Sequence, residues 1–247
     1  MAEQIGIVGF SGTGKSSSLR NLNPEETFVI TPSKESLPFK GAKKSYTVTG
    51  NPKLTFGETD DKGNVGGNVY KTKSLTTLTK CIKVLSDSRP EIKVIVVEDF
   101  THFFSAYLLS TGFREQATGA GTWSRWETFG ADVFDALFAK QHNLRDDLTV
   151  IHMFHPVARV TPEGERLKIK TPGTLLENTV DIASYYTYVL YTHVLPQDNA
   201  APKAAKERYK FVTNDDGYHP AKTPADMFDE LYIDNDLAAV IEAIKEY

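Results

Sequence analysis

The chain has 247 residues, 40% of them hydrophobic and 24% charged, with a formal net charge of −4. That length suits one large domain better than two small ones, and no run approaches the ~18 apolar residues of a membrane span. The single cysteine, Cys81, excludes an intrachain disulfide and a cysteine-rich zinc site. No basic region followed by an apolar stretch opens the chain, so no secretory signal is expected and a reducing cytoplasm is the simplest home. The charge is uneven. Residues 214–247 form an acidic segment with nine acids against two bases, which leaves +3 on residues 1–213. Bulk charge therefore makes no case for a nucleic-acid surface.

In chain order, Ile5-Gly6-Ile7-Val8 reads as a short apolar strand, and a glycine-rich turn and a helix from Lys15 to Arg20 follow. Asn21-Leu22-Asn23-Pro24 stops that helix, and Thr27 to Thr31 is a second strand. A strand, a helix and a strand begin a parallel sheet. Residues 41–72 are rich in Gly, Thr, Asn, Lys and Asp and read as an exposed β-excursion, an insertion on the fold. Leu75, Leu78, Ile82 and Leu85 recur at helical spacing over 74–86, and Arg89-Pro90 breaks the pattern. Four β-branched residues, Val94 to Val97, predict a strand buried on both faces and run into Glu98 and Asp99.

A second helix is predicted over about 124–142, with Trp126, Phe129, Val133, Phe134, Leu137 and Phe138 on one face. Gly119 to Trp123 reads as a mobile loop before it. Leu148 to His155 is another buried strand ending in a polar residue. Val157 to Lys170 reads as a hairpin around Pro162-Glu163-Gly164, and Leu175 to Ile182 as a short helix. Tyr185 to Val194 and Tyr209 to Thr213 are further strands, joined by a polar loop over 196–207. Thr223-Pro224-Ala225-Asp226 has the form of a capped helix start. Leu237, Val240, Ile241 and Ile244 give a closing amphipathic helix. There is no internal repeat and no linker composition, so 1–247 reads as one domain.

Gly9-Phe10-Ser11-Gly12-Thr13-Gly14-Lys15-Ser16 matches the phosphate-binding loop G-x-x-x-x-G-K-[ST] in full, after an apolar strand and at a helix start. Gly9, Gly12 and Gly14 let backbone N–H groups, with those of Ser11, Thr13 and Ser17 beside them, converge on a phosphate. The helix N-terminus adds its positive end. Lys15 is placed to span the β- and γ-phosphates, and the Ser16 hydroxyl to hold Mg²⁺. A carboxylate that helps hold the metal should end an adjacent parallel strand. Glu98 and Asp99 end the run 94–97, four hydrophobics and then acids. By position Glu98 takes the metal and Asp99 acts as base; the opposite division is also open.

His155 ends the next buried strand, where it could touch a γ-phosphate or attacking water, or simply cap the strand edge. His152, within the same strand, reads as structural. Arg159, Arg166, Lys168 and Lys170 make a basic finger on the hairpin, diluted by Glu163 and Glu165. It could contact DNA phosphates, reach a neighbouring subunit's nucleotide, or be a solvated strand. Lys203, Lys206, Arg208 and Lys210, against Glu207, form a second basic patch that reads as a solvated face. Trp123 could stack on a base, though core anchoring of Trp123 and Trp126 is the simpler expectation.

Together these residues resemble the bacteriophage RecA-like ATPases of the Sak type, single-strand annealing proteins with an ATP-binding core. The resemblance rests on Ile7-Val8-Gly9 to Ser16, Lys34 to Gly41, Val94 to Asp99 and Val150 to His155. Leu167 to Gly173 and the tail Ile233-Asp234-Asn235-Asp236-Leu237 extend it, so that it covers most of the chain. It implies an α/β RecA-like P-loop fold, with a mainly parallel central sheet flanked by helices, over 1–247. It further implies ATP hydrolysis with Mg²⁺, a homo-oligomeric ring or filament, and single-stranded DNA as partner in recombination or replication. The setting it implies is a host bacterial cytoplasm. Within it Lys15 and Ser16 match the nucleotide site, Glu98 and Asp99 the acid strand, and His155 a γ-phosphate sensor. Lys168 and Lys170 fall where such proteins place lysines that act across a subunit interface. Two other functions fit the same loop: a small-molecule phosphotransferase, which needs an arginine-rich lid, and a nucleotide switch without turnover.

Overall fold

Strands ending in parallel place their carboxyl ends along one edge of a sheet, and that edge is what this fold builds. The computed structural model describes residues 2–115, 121–138, 143–162, 164–172, 181–198 and 204–247. The strands are β1 (Glu3–Val8), β2 (Thr27–Thr31), β3 (Val69–Lys71), β4 (Val94–Val97), β5 (Thr149–Phe154), β6 (Pro156–Thr161), β7 (Gly164–Ile169), β8 (Tyr188–Val194), β9 (Tyr209–Val212) and β10 (Tyr232–Asp234). Among the described residues eight of them form one sheet in the order β10-β9-β8-β1-β5-β4-β2-β3, and β6 pairs with β7 as a separate hairpin. From β8 to β3 every pairing is parallel. β9 and β10 add to the β8 edge in antiparallel fashion. The chain is thus α/β with a large, mostly parallel central sheet flanked by helices.

The continuous apolar runs are explained by cover on both faces. Val8, Ile95, Val97, Val150 and Phe154 point to one side and pack with α2 (Leu75–Ser88), α3 (Phe100–Leu108) and α5 (Gly121–Leu137). Ile5, Ile7, Val94, Val96, Ile151 and Met153 point to the other. There they meet Leu19 and Leu22, at the 3₁₀ helix Ser16–Asn21, and Leu237, Val240 and Ile241 of the C-terminal helix Leu237–Glu246. Alternate residues of one strand serve opposite faces, so a polar residue on either needs a partner, as His152 has in Tyr186. Connections toward β3 lie on the second face and those back toward β8 on the first, as right-handed crossovers demand.

Several expectations are met and several are corrected. The helix after the phosphate loop is 3₁₀, not α. The stretch 41–72 is more than a surface insertion. It holds the short helix α1 (Ala42–Ser45), and its end becomes β3, which pairs with β2. Asn68 fixes it: its side chain bonds Pro24 and Ser45 carbonyls and accepts the Thr47 N–H. The helices α3 and α4 (Thr111–Glu115) follow β4 where no element was expected. Residues 121–123 begin α5 and are not loop, while 119–120 and 139–142 lie outside the described residues. So does 173–180, most of the helix expected over 175–182; Ile182–Tyr185 is a 3₁₀ turn.

The motif at Thr223 starts no helix. Thr223 Oγ1 is buried and has no hydrogen-bond partner among the described residues, so it caps nothing, and Asp226 adopts φ 59°, which breaks a helical path. Capping instead occurs at Asp236, whose carboxylate accepts the Ala238 N–H. Among the described residues no helix is long and apolar enough to cross a membrane.

Arg89 is fully buried at the end of α2. Its guanidinium bonds Glu91 and the Pro52 and Leu54 carbonyls at 3.2 and 2.5 Å, and lies 5.9 Å from the Phe28 ring. It ties the 47–60 stretch to the sheet. Replacing it removes the donor from two half-buried carbonyls, each worth roughly 1–3 kcal/mol. Arg89→Met is expected to lower unfolding free energy by about 2–4 kcal/mol in urea titration, with amide protection lost first over 47–60.

Candidate functional site

The carboxyl ends of β1, β4, β5 and β2 open into one cleft of about 650 Å³. Ser11, Gly12, Gly14, Lys15, Ser16 and Ser17 form one wall, and Glu98, Asp99 and His155 another. The acid strand does not neighbour β1, contrary to expectation: β5 lies between β1 and β4. This interposed strand brings His155 into the cleft with the loop and the acids.

Local structure explains the loop glycines. Gly12 and Gly14 have φ of 79° and 99°, a region side chains rarely adopt. A Cβ on Gly9 would lie 1.7 Å from Thr192 Oγ1. Gly9 and Thr13 do not line the cleft but seat the loop on β8, with Thr13 Oγ1 2.5 Å from Thr192 Oγ1. Such a cradle accepts main-chain N–H contacts with an anion where a side chain would block them.

Lys15 is buried, and its ammonium donates to the Gly9 and Phe10 carbonyls at 2.7 and 3.1 Å. Burial lowers its pKa, and the carboxylates of Asp99 and Glu98 oppose that. Glu98 is also buried. Burial and then the neighbouring Asp99 charge raise its pKa, against the hydrogen bond donated by Ser16 and the Lys15 charge. The Ser16–Glu98 bond brings together the two groups expected to hold a metal. Among the described residues no three His, Cys, Asp or Glu side chains converge to bind a metal alone. A hydroxyl and one carboxylate beside a phosphate cradle are instead the donor set Mg²⁺ takes together with phosphate oxygens.

Asp99 behaves differently. Burial works to raise its pKa, but the hydrogen bond from His155 and the charges of His102, His155 and Lys15 carry it below the usual carboxylate value. His155 Nε2 lies 3.1 Å from Asp99 Oδ1, and His102 Nδ1 3.7 Å from Oδ2. The two imidazoles stack at 5.4 Å and 21°. Asp99 has φ 51° at the start of α3, and a left-handed aspartate there re-aims its carboxylate into the cleft. His155 is fixed by its backbone N–H, which donates to Thr101 Oγ1.

His152 is structural, as expected. It is fully buried, its Nδ1 lies 2.9 Å from Tyr186 OH, and burial holds its pKa down to about 3.

The basic finger sits elsewhere. Arg159 pairs across the hairpin with Arg166, and Val157 with Lys168. With Lys170 these basic residues share the face opposite buried Leu167 and Ile169. Arg166 is ion-paired with Asp215, and Glu163 lies outside the described residues. In the second patch Arg208 bonds the Leu195 carbonyl and Lys210 pairs with Asp234, so both serve the edge strands. Lys203 lies outside the described residues. Trp126 packs on Phe113 and Phe129 in the core.

Sequence reasoning missed Ser33, Glu35, Ser36, Pro38, His102 and Tyr209, which also line the cleft. His102 was reachable, being one turn along a helix from Asp99. Glu35 lies four residues beyond the end of β2, the strand that pairs with the acid strand. No family model matches the chain. No curated protein matches its sequence.

His152 predicts a pH dependence. It titrates at about 6.5 unfolded and about 3 folded, so the unfolded state binds the extra proton between those values. The stability tied to its neutral form is present above pH 6.5 and is lost as pH falls toward 3, with a slope of up to ~1.4 kcal/mol per pH unit. Denaturant titrations across that window should show a shallower slope for His152→Leu combined with Tyr186→Phe than for the unaltered protein.

Proposed function

We propose that the chain is a RecA-like P-loop nucleoside triphosphatase of phage type, which hydrolyses ATP with Mg²⁺ and acts on single-stranded DNA as a homo-oligomer. The observation that carries this reading is the cleft in which Lys15 and Ser16 face Glu98, Asp99 and His155. The strand between loop and acids also favours it, because it brings His155 into the same cleft as the loop and the acids.

The chemistry is positioning and electrostatics. Loop N–H groups and the Lys15 ammonium, released from the Gly9 and Phe10 carbonyls, neutralise oxygens of the β- and γ-phosphates. When bound, Mg²⁺ would supply further charge neutralisation at those oxygens, held by Ser16 and Glu98. Asp99, kept ionised by its imidazole partners, orients water and accepts its proton as the new O–P bond forms and the bridging O–P bond breaks. His155 holds the Asp99 carboxylate in place.

His155 also links the cleft to the basic hairpin. Its carbonyl accepts the Lys170 N–H at 2.9 Å, so the base of β6–β7 is pinned to the residue that contacts Asp99. A change at the γ-phosphate position therefore has a direct mechanical route to Arg159, Lys168 and Lys170. That route supports the hairpin as the DNA-contacting element.

Lys15→Ala is expected to reduce phosphate release by at least ~100-fold, and Asp99→Asn to do so with nucleotide binding retained. Unchanged turnover in Lys15→Ala would reject the site, and tight nucleotide binding without turnover in the unaltered protein would favour a switch. For DNA, the logarithm of affinity should fall linearly with log salt. Lys170→Ala should weaken binding and reduce that slope by about one; a flat salt response in the unaltered protein rejects phosphate contacts by the hairpin.

A further inference from the structure

On one side of the phosphate loop stand Glu98, Asp99 and His155, at the ends of β4 and β5. A linear triphosphate with its terminal phosphate there must direct its nucleoside to the other side, toward β8, β9 and β10. Tyr209 begins β9 opposite Val194, the last residue of β8. Asn235 follows β10, whose Asp234 pairs with Lys210, so Asn235 lies next to Tyr209 across the strand pair. Both side chains close on Gly14: a Cβ there would lie 3.0 Å from Tyr209 Cγ and 3.2 Å from Asn235 Oδ1. Tyr209 lines the cleft.

Asn235 is 1% exposed, and among the described residues neither Oδ1 nor Nδ2 has a hydrogen-bond partner. Its main chain, in contrast, is firmly held. The Asn235 carbonyl accepts from Arg20 Nη1 at 2.6 Å, and the next residue, Asp236, caps the C-terminal helix and accepts from Asn21 Nδ2 at 2.5 Å. A buried carboxamide normally spends both its donor and its acceptor. One held rigidly beside a phosphate loop, with both unspent, is a recognition group.

We infer that Tyr209 and Asn235 form the nucleobase end of the site and select adenine, an inference that rests on the nucleotide reading above. The Tyr209 ring, half-buried over the loop, turns aside to offer a stacking face and uncovers the carboxamide. Asn235 Oδ1 accepts from the adenine 6-amino group and Nδ2 donates to N7, the pairing a carboxamide makes with adenine. Guanine presents two acceptors, O6 and N7, on that edge, and leaves Oδ1 without a donor.

The test is calorimetry with Mg²⁺ on ATP, GTP, 7-deaza-ATP and inorganic tripolyphosphate. The unaltered protein should prefer ATP to GTP by roughly tenfold or more, and should bind 7-deaza-ATP, which lacks the N7 acceptor, more weakly than ATP. In Asn235→Leu the ATP-to-GTP ratio should fall to within about threefold, with tripolyphosphate affinity as the internal reference. If that variant does not fold, the 7-deaza-ATP comparison in the unaltered protein decides. Tripolyphosphate bound as tightly as ATP, equal affinity for ATP and 7-deaza-ATP, or an unchanged ratio in Asn235→Leu would overturn the base assignment and leave the phosphate site standing. Failure to bind either ATP or tripolyphosphate would reject the nucleotide reading itself.

Discussion

A lysine ammonium out of contact with water is tolerated where other charges and dipoles compensate it, and the cleft is organised around that demand at Lys15. Two loop carbonyls accept its hydrogen bonds, and two carboxylates supply opposing charge. The carboxylates bring the same problem in mirror image, for Glu98 is buried as well. Ser16 satisfies Glu98 and an imidazole pair satisfies Asp99. The sites are therefore not independent: moving Lys15 onto an incoming anion changes the field at both acids. The adjacent carboxylates end with opposite tendencies, one pushed toward the neutral form and one held ionised. Such divergence between neighbouring acids is how a fold assigns them different work.

The sheet order makes this possible. With β5 between β1 and β4, the loop and the acids are one strand apart, and the residue ending β5 falls midway. His155 thus meets Asp99 through its ring and the hairpin through its carbonyl. A histidine within the buried run Val150–Phe154 faces a covered side of the sheet, as His152 does, and is held neutral by burial.

Much of this was legible in the sequence. The loop motif, the apolar runs and the acids at the end of 94–97 carry strong local signals, because backbone approach to an anion needs glycine and a doubly covered strand needs unbroken hydrophobicity. Helix α3 was legible too, since Phe100, Phe103, Phe104 and Tyr107 recur at helical spacing; no element was expected there. Strands β3 and β10 were not legible. Each has three residues and exists by pairing with a distant edge, a long-range fact with no local pattern. The capped start at Thr223 misled because a capping motif means little without a periodic apolar face behind it. The order of β1, β5 and β4 is likewise a property of chain crossing, not of composition.

Tyr209 and Asn235 show where local reading stops. They are 26 positions apart in sequence, and no local pattern links them. Antiparallel addition of β9 and β10 to the β8 edge carries both to the rim on which the parallel strands end. The two antiparallel strands therefore extend the cleft as well as the sheet. Acids at one end and an unpaired carboxamide at the other give the cleft a direction, with the glycine loop between them. The acidic character of 214–247 acquires a local role in the same way: Asp215 holds Arg166, Asp234 holds Lys210, and Asp236 caps the last helix. These aspartates fasten the edge strands and the final helix to the core. The loop wall formed by Gly14 is fixed by what they hold, because a shift of β10 would move Asn235 and Tyr209 against it.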